Sequence, residues 1–230
     1  MSRIESEALV VRTVAYRESD VIVTFLTETH GKVSAIVRGG RKSSKRVGGA
    51  LEPFHSVKVS IDDKGGDLGV LREARLARAR HGIVTRLEAI EAAGEALRWA
   101  RHLFPARTRE PEAWAVLVEL LDAIDAGAVP RVELARGAVV LLAAVGYGLE
   151  LDCCVRCGKP CPEDKPACVD AARGGLVCRS CGGASRVLEP ALLAVGRAIA
   201  RGERPEMTPQ QAEELLALVS DAMAAHAGLA

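Results

Sequence analysis

The chain has 230 residues, 49% of them hydrophobic and 27% charged, an ordinary globular balance with room for one large domain or two small ones. Its formal net charge of +1 hides an asymmetry, because residues 1–80 carry 15 Lys or Arg against 10 Asp or Glu while the other 150 carry 16 against 20. A basic first part suggests a polyanionic partner, and the composition excludes a fibrous, low-complexity or disordered chain.

Five short segments rich in Val, Ile and Leu open the chain: Ala8–Val14, Val21–Leu26, Val33–Val37, Val57–Ile61 and Leu68–Leu71. Turn signals separate them, among them His30-Gly31-Lys32, Gly39-Gly40 and Asp62-Asp63-Lys64-Gly65-Gly66. Val33/Ala35/Val37 and Val57/Val59/Ile61 alternate with more polar neighbours, so each strand has one buried and one wet face. Five such strands suit a small closed barrel, which leaves no free edge.

From Gly82 the period becomes helical. Ile83, Leu87, Ile90, Gly94, Leu97 and Leu103 recur at helix spacing and predict a helix over Ile83–Phe104. Pro111 opens a second helix to about Ile124, and a third follows Pro130 to about Val145. Glu189–Ala200 and Thr208–Ala225 give two more, with Thr208 as N-cap and Pro209 at the first helical position. The expected architecture is an α+β multidomain chain. A β-barrel domain at 1–80 precedes a helical domain at 81–230, which carries a cysteine-rich insert at about 151–185.

The opening Met1-Ser2-Arg3-Ile4-Glu5 lacks the apolar run of a signal peptide, and the longest apolar run, Ala138–Val145, is too short to span a bilayer. A cytoplasmic protein with no membrane partner is expected. In a reducing compartment the seven cysteines point to metal rather than disulfides. Cys154-x2-Cys157 and Cys178-x2-Cys181, 20 residues apart, have the spacing of a four-thiolate zinc site, with glycine after each pair for the tight knuckle turn. Four thiolates leave no position for water, so Zn2+ is expected to be structural, contributing about 10–16 kcal/mol of apparent binding energy. An iron–sulfur cluster on the same thiolates and a metal-free set of thiols are the competing readings. Cys153, Cys161 and Cys168 are surplus, and Cys153 or Cys161 is close enough to replace a ligand.

Between Thr29 and Leu51 there is no acidic residue, whereas Lys32, Arg38, Arg41, Lys42, Lys45 and Arg46 fall together. A loop of this composition suits contact with a phosphate backbone; its plainer reading is a solvated loop. Tyr16, Phe25 and Phe54 are the aromatic residues of the basic part, so binding is expected to rest on charge more than on base stacking. Arg72, Arg75, Arg78 and Arg80 extend such a path or form a solvated helix start. The five histidines are scattered and no P-loop is present, so no enzyme is expected.

The runs Tyr16-Arg17-Glu18-Ser19-Asp20, Thr27-Glu28-Thr29-His30-Gly31-Lys32, Arg38-Gly39-Gly40-Arg41-Lys42 and Leu51-Glu52-Pro53-Phe54 resemble the bacterial DNA repair protein family RecO. So do Leu151-x2-Cys154-x2-Cys157-Gly158 and Gly174-Gly175-Leu176-Val177-Cys178-x2-Cys181. The resemblance implies an OB-fold barrel, a helical domain with a zinc-binding insert, and a nucleoid-associated protein. It implies binding of single- and double-stranded DNA, annealing of complementary strands, and work with RecR and single-strand DNA-binding protein to help load RecA. Carried over by position, the basic residues become DNA contacts and the two cysteine pairs metal ligands. The alternative is a zinc-containing adaptor in DNA repair with little intrinsic DNA binding.

Overall fold

Alternation of inward and outward residues runs through five strands: β1 (Ser2–Tyr16), β2 (Asp20–Thr27), β3 (Gly31–Val37), β4 (Ser56–Asp63) and β5 (Leu68–Arg78). They form a closed barrel in the order β1-β2-β3-β5-β4, with β4 returning to β1. All pairings are antiparallel except β3 with β5. This is the OB-fold connectivity. In the computed structural model residues 2–40 and 50–227 are described. The interior is filled by small and branched side chains, among them Ile4, Val10, Val23, Ala35, Val59 and Ile61, around Phe25. The alternation of Val33/Ala35/Val37 and Val57/Val59/Ile61 is the one read in the sequence. β1 and β5 run further than their apolar segments suggest. At 2–7 and 72–78 the outward positions are mostly charged or serine, with Leu76 an exposed exception, and only Ile4 and Ala74 are drawn into the core. A bulge between Val10 and Arg12 bends β1 so that its first half pairs with β4 and its second with β2.

The predicted first helix is broken. α1 (His81–Val84) and α2 (Leu87–Leu103) are separate, and α3 (Pro111–Asp125) follows. The buried face of α2 is not the Leu87/Ile90 stripe, since Leu87 is 71% and Ile90 37% exposed. It is built on Ala89, Ala92, Ala93, Ala96 and Ala100, with Leu97, Trp99 and Leu103. Alanine lets backbones approach closely, and so the smaller residues take the packed side.

The change of period near residue 80 marks where strand gives way to helix. Packing divides the chain elsewhere, into units Met1–Gly127 and Ala128–Ala230. The three helices belong with the barrel because polar contacts tie them to it. Arg80 is fully buried: its Nε donates to Asp122 on α3 (2.7 Å) and its Nη1 to the Phe54 carbonyl (2.7 Å) and Ser56 Oγ (3.2 Å). Its Nη2 is buried with no partner among the described residues. Arg78 meets the other oxygen of Asp122 at 2.6 Å, and Asp125 accepts from the Gly82 amide at 2.7 Å. On the far side the loop after α2 lies along β3. The Arg107 amide donates to the Lys32 carbonyl (3.0 Å) and the Arg107 guanidinium clamps Asp63 (2.5 and 3.0 Å). Gly31 lets the loop approach: it has φ +63°, and a Cβ there would lie 1.9 Å from the Thr108 carbonyl oxygen.

The second unit begins with α4 (Pro130–Ala144) and ends with α5 (Pro190–Ala200) and α6 (Pro209–Ala227). Between them stand four short strands, β6 (Glu150–Cys154), β7 (Ala167–Asp170), β8 (Gly175–Leu176) and β9 (Arg186–Leu188), in sheet order β6-β8-β7-β9. The predicted N-cap of α6 is a capping box. The Gln211 amide donates to Thr208 Oγ1 (3.2 Å), and the Thr208 amide to Gln211 Oε1 (2.9 Å). No helix among the described residues is long and apolar enough to cross a membrane.

Replacing Arg80 with Met is expected to cost about 3 kcal/mol, since it strands buried acceptors at the Phe54 carbonyl and Ser56. Urea unfolding measures it, and Arg80→Lys should recover little because an ammonium lacks the fork that spans both elements. Asp63 behaves differently with pH. Hydrogen bonding from Arg107 holds its carboxyl below the usual range, so its contribution is present above the unfolded pKa of about 3.9 and is lost as pH falls through the folded value. Arg107→Gln should therefore be less stable than the parent at neutral pH, with the gap closing as pH falls through the folded value of Asp63.

Candidate metal centre and nucleic-acid interface

The cysteine cluster is assembled by two knuckles. Cys154 ends β6 and is buried; Cys157 follows in the turn, where Gly158 takes φ +70° and its amide donates to the Cys154 carbonyl at 2.8 Å. The second knuckle, after β8, closes differently: Gly182 takes φ +105°, its amide donates to the Arg179 carbonyl at 3.0 Å, and the Cys181 amide donates to the Cys178 carbonyl at 2.9 Å. The four Sγ atoms of Cys154, Cys157, Cys178 and Cys181 lie within 4.8 Å of one another. Cys157 Sγ and Cys178 Sγ are 3.7 Å apart, and a tetrahedral ion with bonds of about 2.3 Å sets its sulfurs about 3.8 Å apart. The donor set and its geometry fit one metal ion.

The electrostatics of the cluster are those of thiols sharing a site. The backbone amide of Cys178, 3.3 Å from Cys154 Sγ, is the first reason the Cys154 pKa is drawn down to about 6. Hydrogen bonding with the Cys178 and Cys157 sulfurs pushes Cys181 up to about 12. One sulfur is thus ready to bind as thiolate and another must give up a proton when metal enters.

Cys153, Cys161 and Cys168 are not in the cluster, which among the described residues is complete with four sulfurs. Cys161 Sγ points to the Pro162 carbonyl. Two arginines that sequence reasoning passed over hold the insert. Arg156 donates to the Cys181 carbonyl (2.9 Å) and so links the knuckles. Arg197, buried on α5, donates to the carbonyls of Leu151 (2.7 Å) and Cys161 (3.3 Å) and pairs with Asp152 (3.1 Å). A cation on an otherwise apolar stripe, Leu192, Leu193, Ala198 and Ile199, is the signal that would have singled Arg197 out.

In the barrel the predicted basic residues have different fates. Lys32 is half-buried, its Nζ donating to the Arg101 carbonyl at the end of α2 (2.5 Å), and burial lowers its pKa. Arg38 is exposed and lines a cleft of 710 Å³ together with Arg3, Asp62, Arg72 and Glu73. Arg41, Lys42, Lys45 and Arg46 lie outside the described residues. Arg75 pairs with Glu73 at 2.6 Å, and Arg78 and Arg80 are bound to Asp122, so Arg80 is neither a surface residue nor part of a solvated helix start. Arg3 and Asp62 were not read as site residues; β1 places Arg3 directly across from Asp62.

Single Ser replacements at Cys154, Cys157, Cys178 or Cys181 are expected to abolish stoichiometric metal in the purified protein, while Cys153→Ser, Cys161→Ser and Cys168→Ser retain it. Elemental analysis of the seven variants decides the ligand set.

The family model "Recombination protein O N terminal" matches residues 1–80, and "Recombination protein O C terminal" matches 85–230. A DNA repair protein RecO of Anaeromyxobacter dehalogenans (strain 2CP-C) is 36% identical over 230 residues, 99% of this chain and 87% of that protein. The RecO of Geobacter metallireducens is 34% identical over 230 residues, 98% of this chain and 93% of its own. That of Myxococcus xanthus (strain DK1622) is 33% identical over 231 residues, covering 99% and 94%. With both parts matched and such relatives spanning nearly its whole length, this chain belongs to the recombination protein O (RecO) family of DNA repair proteins.

Proposed function

We propose that the protein is a non-enzymatic DNA-binding repair factor that anneals complementary single strands. With RecR and single-strand DNA-binding protein, it would assist the loading of RecA during gap repair. The observation that carries the reading is an OB-type barrel with an arginine-lined cleft, in a chain of the RecO family, whose third strand runs into a stretch of basic residues. Annealing needs two polyanions brought together with their charge offset and their bases left free. Backbone contacts through Arg and Lys supply that, and the scarcity of aromatic residues means that little stacking holds the bases back. The four-cysteine cluster holds Zn2+ in this reading. With four thiolates and no open position, the ion's work is to keep the β6–β9 insert folded.

The test is an annealing assay with complementary oligonucleotides, run beside metal analysis of the same preparation. Acceleration of annealing at low salt and about one zinc per chain are the expected results. If about six phosphates of a single strand are engaged, the log–log salt slope of binding is near −4. Replacing Arg38, Arg41, Lys42, Lys45 and Arg46 together with Ala should flatten that slope and weaken binding to all sequences alike. DNA affinity unchanged in that variant would remove the basic segment from the interface, and no DNA binding at low salt would leave the adaptor reading.

A further inference from the structure

The cleft on the barrel has an acid among its bases. Asp62 stands on β4, between the two strands that carry its partners. It is opposite Arg3 on β1 and diagonal to Arg72 on β5, since its own neighbour there is Val70. Its Oδ1 accepts from Arg3 Nε at 3.4 Å and its Oδ2 from Arg72 Nε at 2.6 Å. The carboxylate is nearly enclosed, with 12% of the side chain exposed, whereas the side chains of Arg3 and Arg72 are 61% and 56% exposed. Both guanidiniums therefore sit at the mouth of the cleft with one N–H turned inward to the acid. Among the described residues no hydrogen bond engages their Nη atoms. Arg38 adds a third guanidinium from the end of β3, and Glu73 a second carboxylate, so the lining holds three cations and two anions.

We infer that Asp62 is a built-in competitor for the DNA phosphate, occupying the guanidiniums of Arg3 and Arg72 so that strands are held loosely in this cleft and released during annealing. The inference rests on the proposed DNA-binding reading of the barrel and adds the device that limits affinity. The chemistry is that of like ligands. Carboxylate and phosphate are both anions with paired acceptor oxygens, so a phosphate that takes the Nε edge of Arg3 or Arg72 displaces Asp62, and one bound through the Nη atoms lies beside a like charge. An aspartate is ionised at neutral pH, and in this arrangement hydrogen bonding from Arg72 holds its carboxyl below even the usual range. It is therefore a permanent rival at neutral pH. A protein that must bind and then let go of two strands is served by such a rival, whereas one that stores a single strand is not.

The experiment measures single-strand affinity over a range of salt for the full-length parent, Asp62→Asn, Arg72→Gln and the double variant. Asn keeps the shape but withdraws the charge, which should free one or two phosphate contacts. The salt slope then steepens by about 0.7 to 1.4, and affinity rises on the order of 5- to 25-fold near 0.1 M salt. Annealing by Asp62→Asn should fall behind the parent at saturating protein, where strand release limits. Arg72→Gln should cost more in the Asp62→Asn background than in the parent, because only there is Arg72 fully available. Additive effects, or affinity unchanged or lowered in a folded Asp62→Asn protein, would overturn the inference. A parent that binds no single strand at low salt would instead overturn the DNA-binding reading. Should the Asn variant fail to fold, the Nε–H resonances of Arg3 and Arg72 in the parent still decide. They should move on addition of an oligonucleotide, and if they stay in place while DNA binds, Asp62 does not compete.

Discussion

A guanidinium without exposed surface is an expensive thing to fold, and Arg80 is one. Its cost is offset only because three acceptors converge on it: Asp122 from α3, the Phe54 carbonyl from the approach to β4, and the hydroxyl of Ser56 at the start of β4. Phe54 is held at φ +75° there, a strained conformation for a bulky residue, and the hydrogen bond to its carbonyl helps keep it so. Through this one side chain the end of the barrel and the end of a helix acquire a fixed relation. The cleft among β1, β3, β4 and β5 lies on the wall of the same barrel.

The second unit reaches rigidity by another route. Its insert has four strands of two to five residues and little apolar interior of its own, so a sheet of that size does not hold without a clip. Four sulfurs within 4.8 Å supply the place for one, and Arg197 ties the first knuckle's strand to α5 by donating to Leu151 and Cys161. Both units thus use a buried or half-buried arginine to satisfy backbone carbonyls where secondary structure ends. An arginine can do this and a lysine cannot, because its planar fork reaches several acceptors at once.

On the proposed reading, the surface chemistry of the barrel is tuned toward moderation. Lys32 is turned to the Arg101 carbonyl, Arg75 to Glu73, and Arg3 and Arg72 to Asp62. These four of the 15 Lys and Arg in the first 80 residues are therefore engaged within the fold, which restrains them without removing the excess of positive charge. What is left for a polyanion is distributed and salt-sensitive, which suits transient contact with two strands better than tight retention of one.

Several features were legible from local pattern alone because local physics decides them. Period-two alternation in β3 and β4 exposes the barrel, Thr208-Pro209 announces the start of α6, and the two Cys-x2-Cys pairs with their following glycines specify the knuckles. Each depends on residues within a few positions of one another, so neighbours in sequence are enough. The stripe on α2 misled, since Leu87 and Ile90 have the period of a core but alanines have the size that fits. The cysteines beside the first knuckle could not be ranked as ligands by spacing, because which sulfurs converge depends on how β6 and β8 meet.

The kind of protein is written in local composition and spacing: a basic strand-rich part, a helical part, and four thiolates spaced for one metal ion. The fate of each charge, by contrast, is settled by folding. Arg72 and Arg80 are eight positions apart in one arginine-rich stretch, yet one ends half-exposed at the mouth of a cleft and the other fully buried between elements. The physical reason is that an arginine's surroundings are set by the acceptor it meets. Asp62 and Asp122 lie 10 and 42 residues away along the chain, and no local pattern encodes that distance.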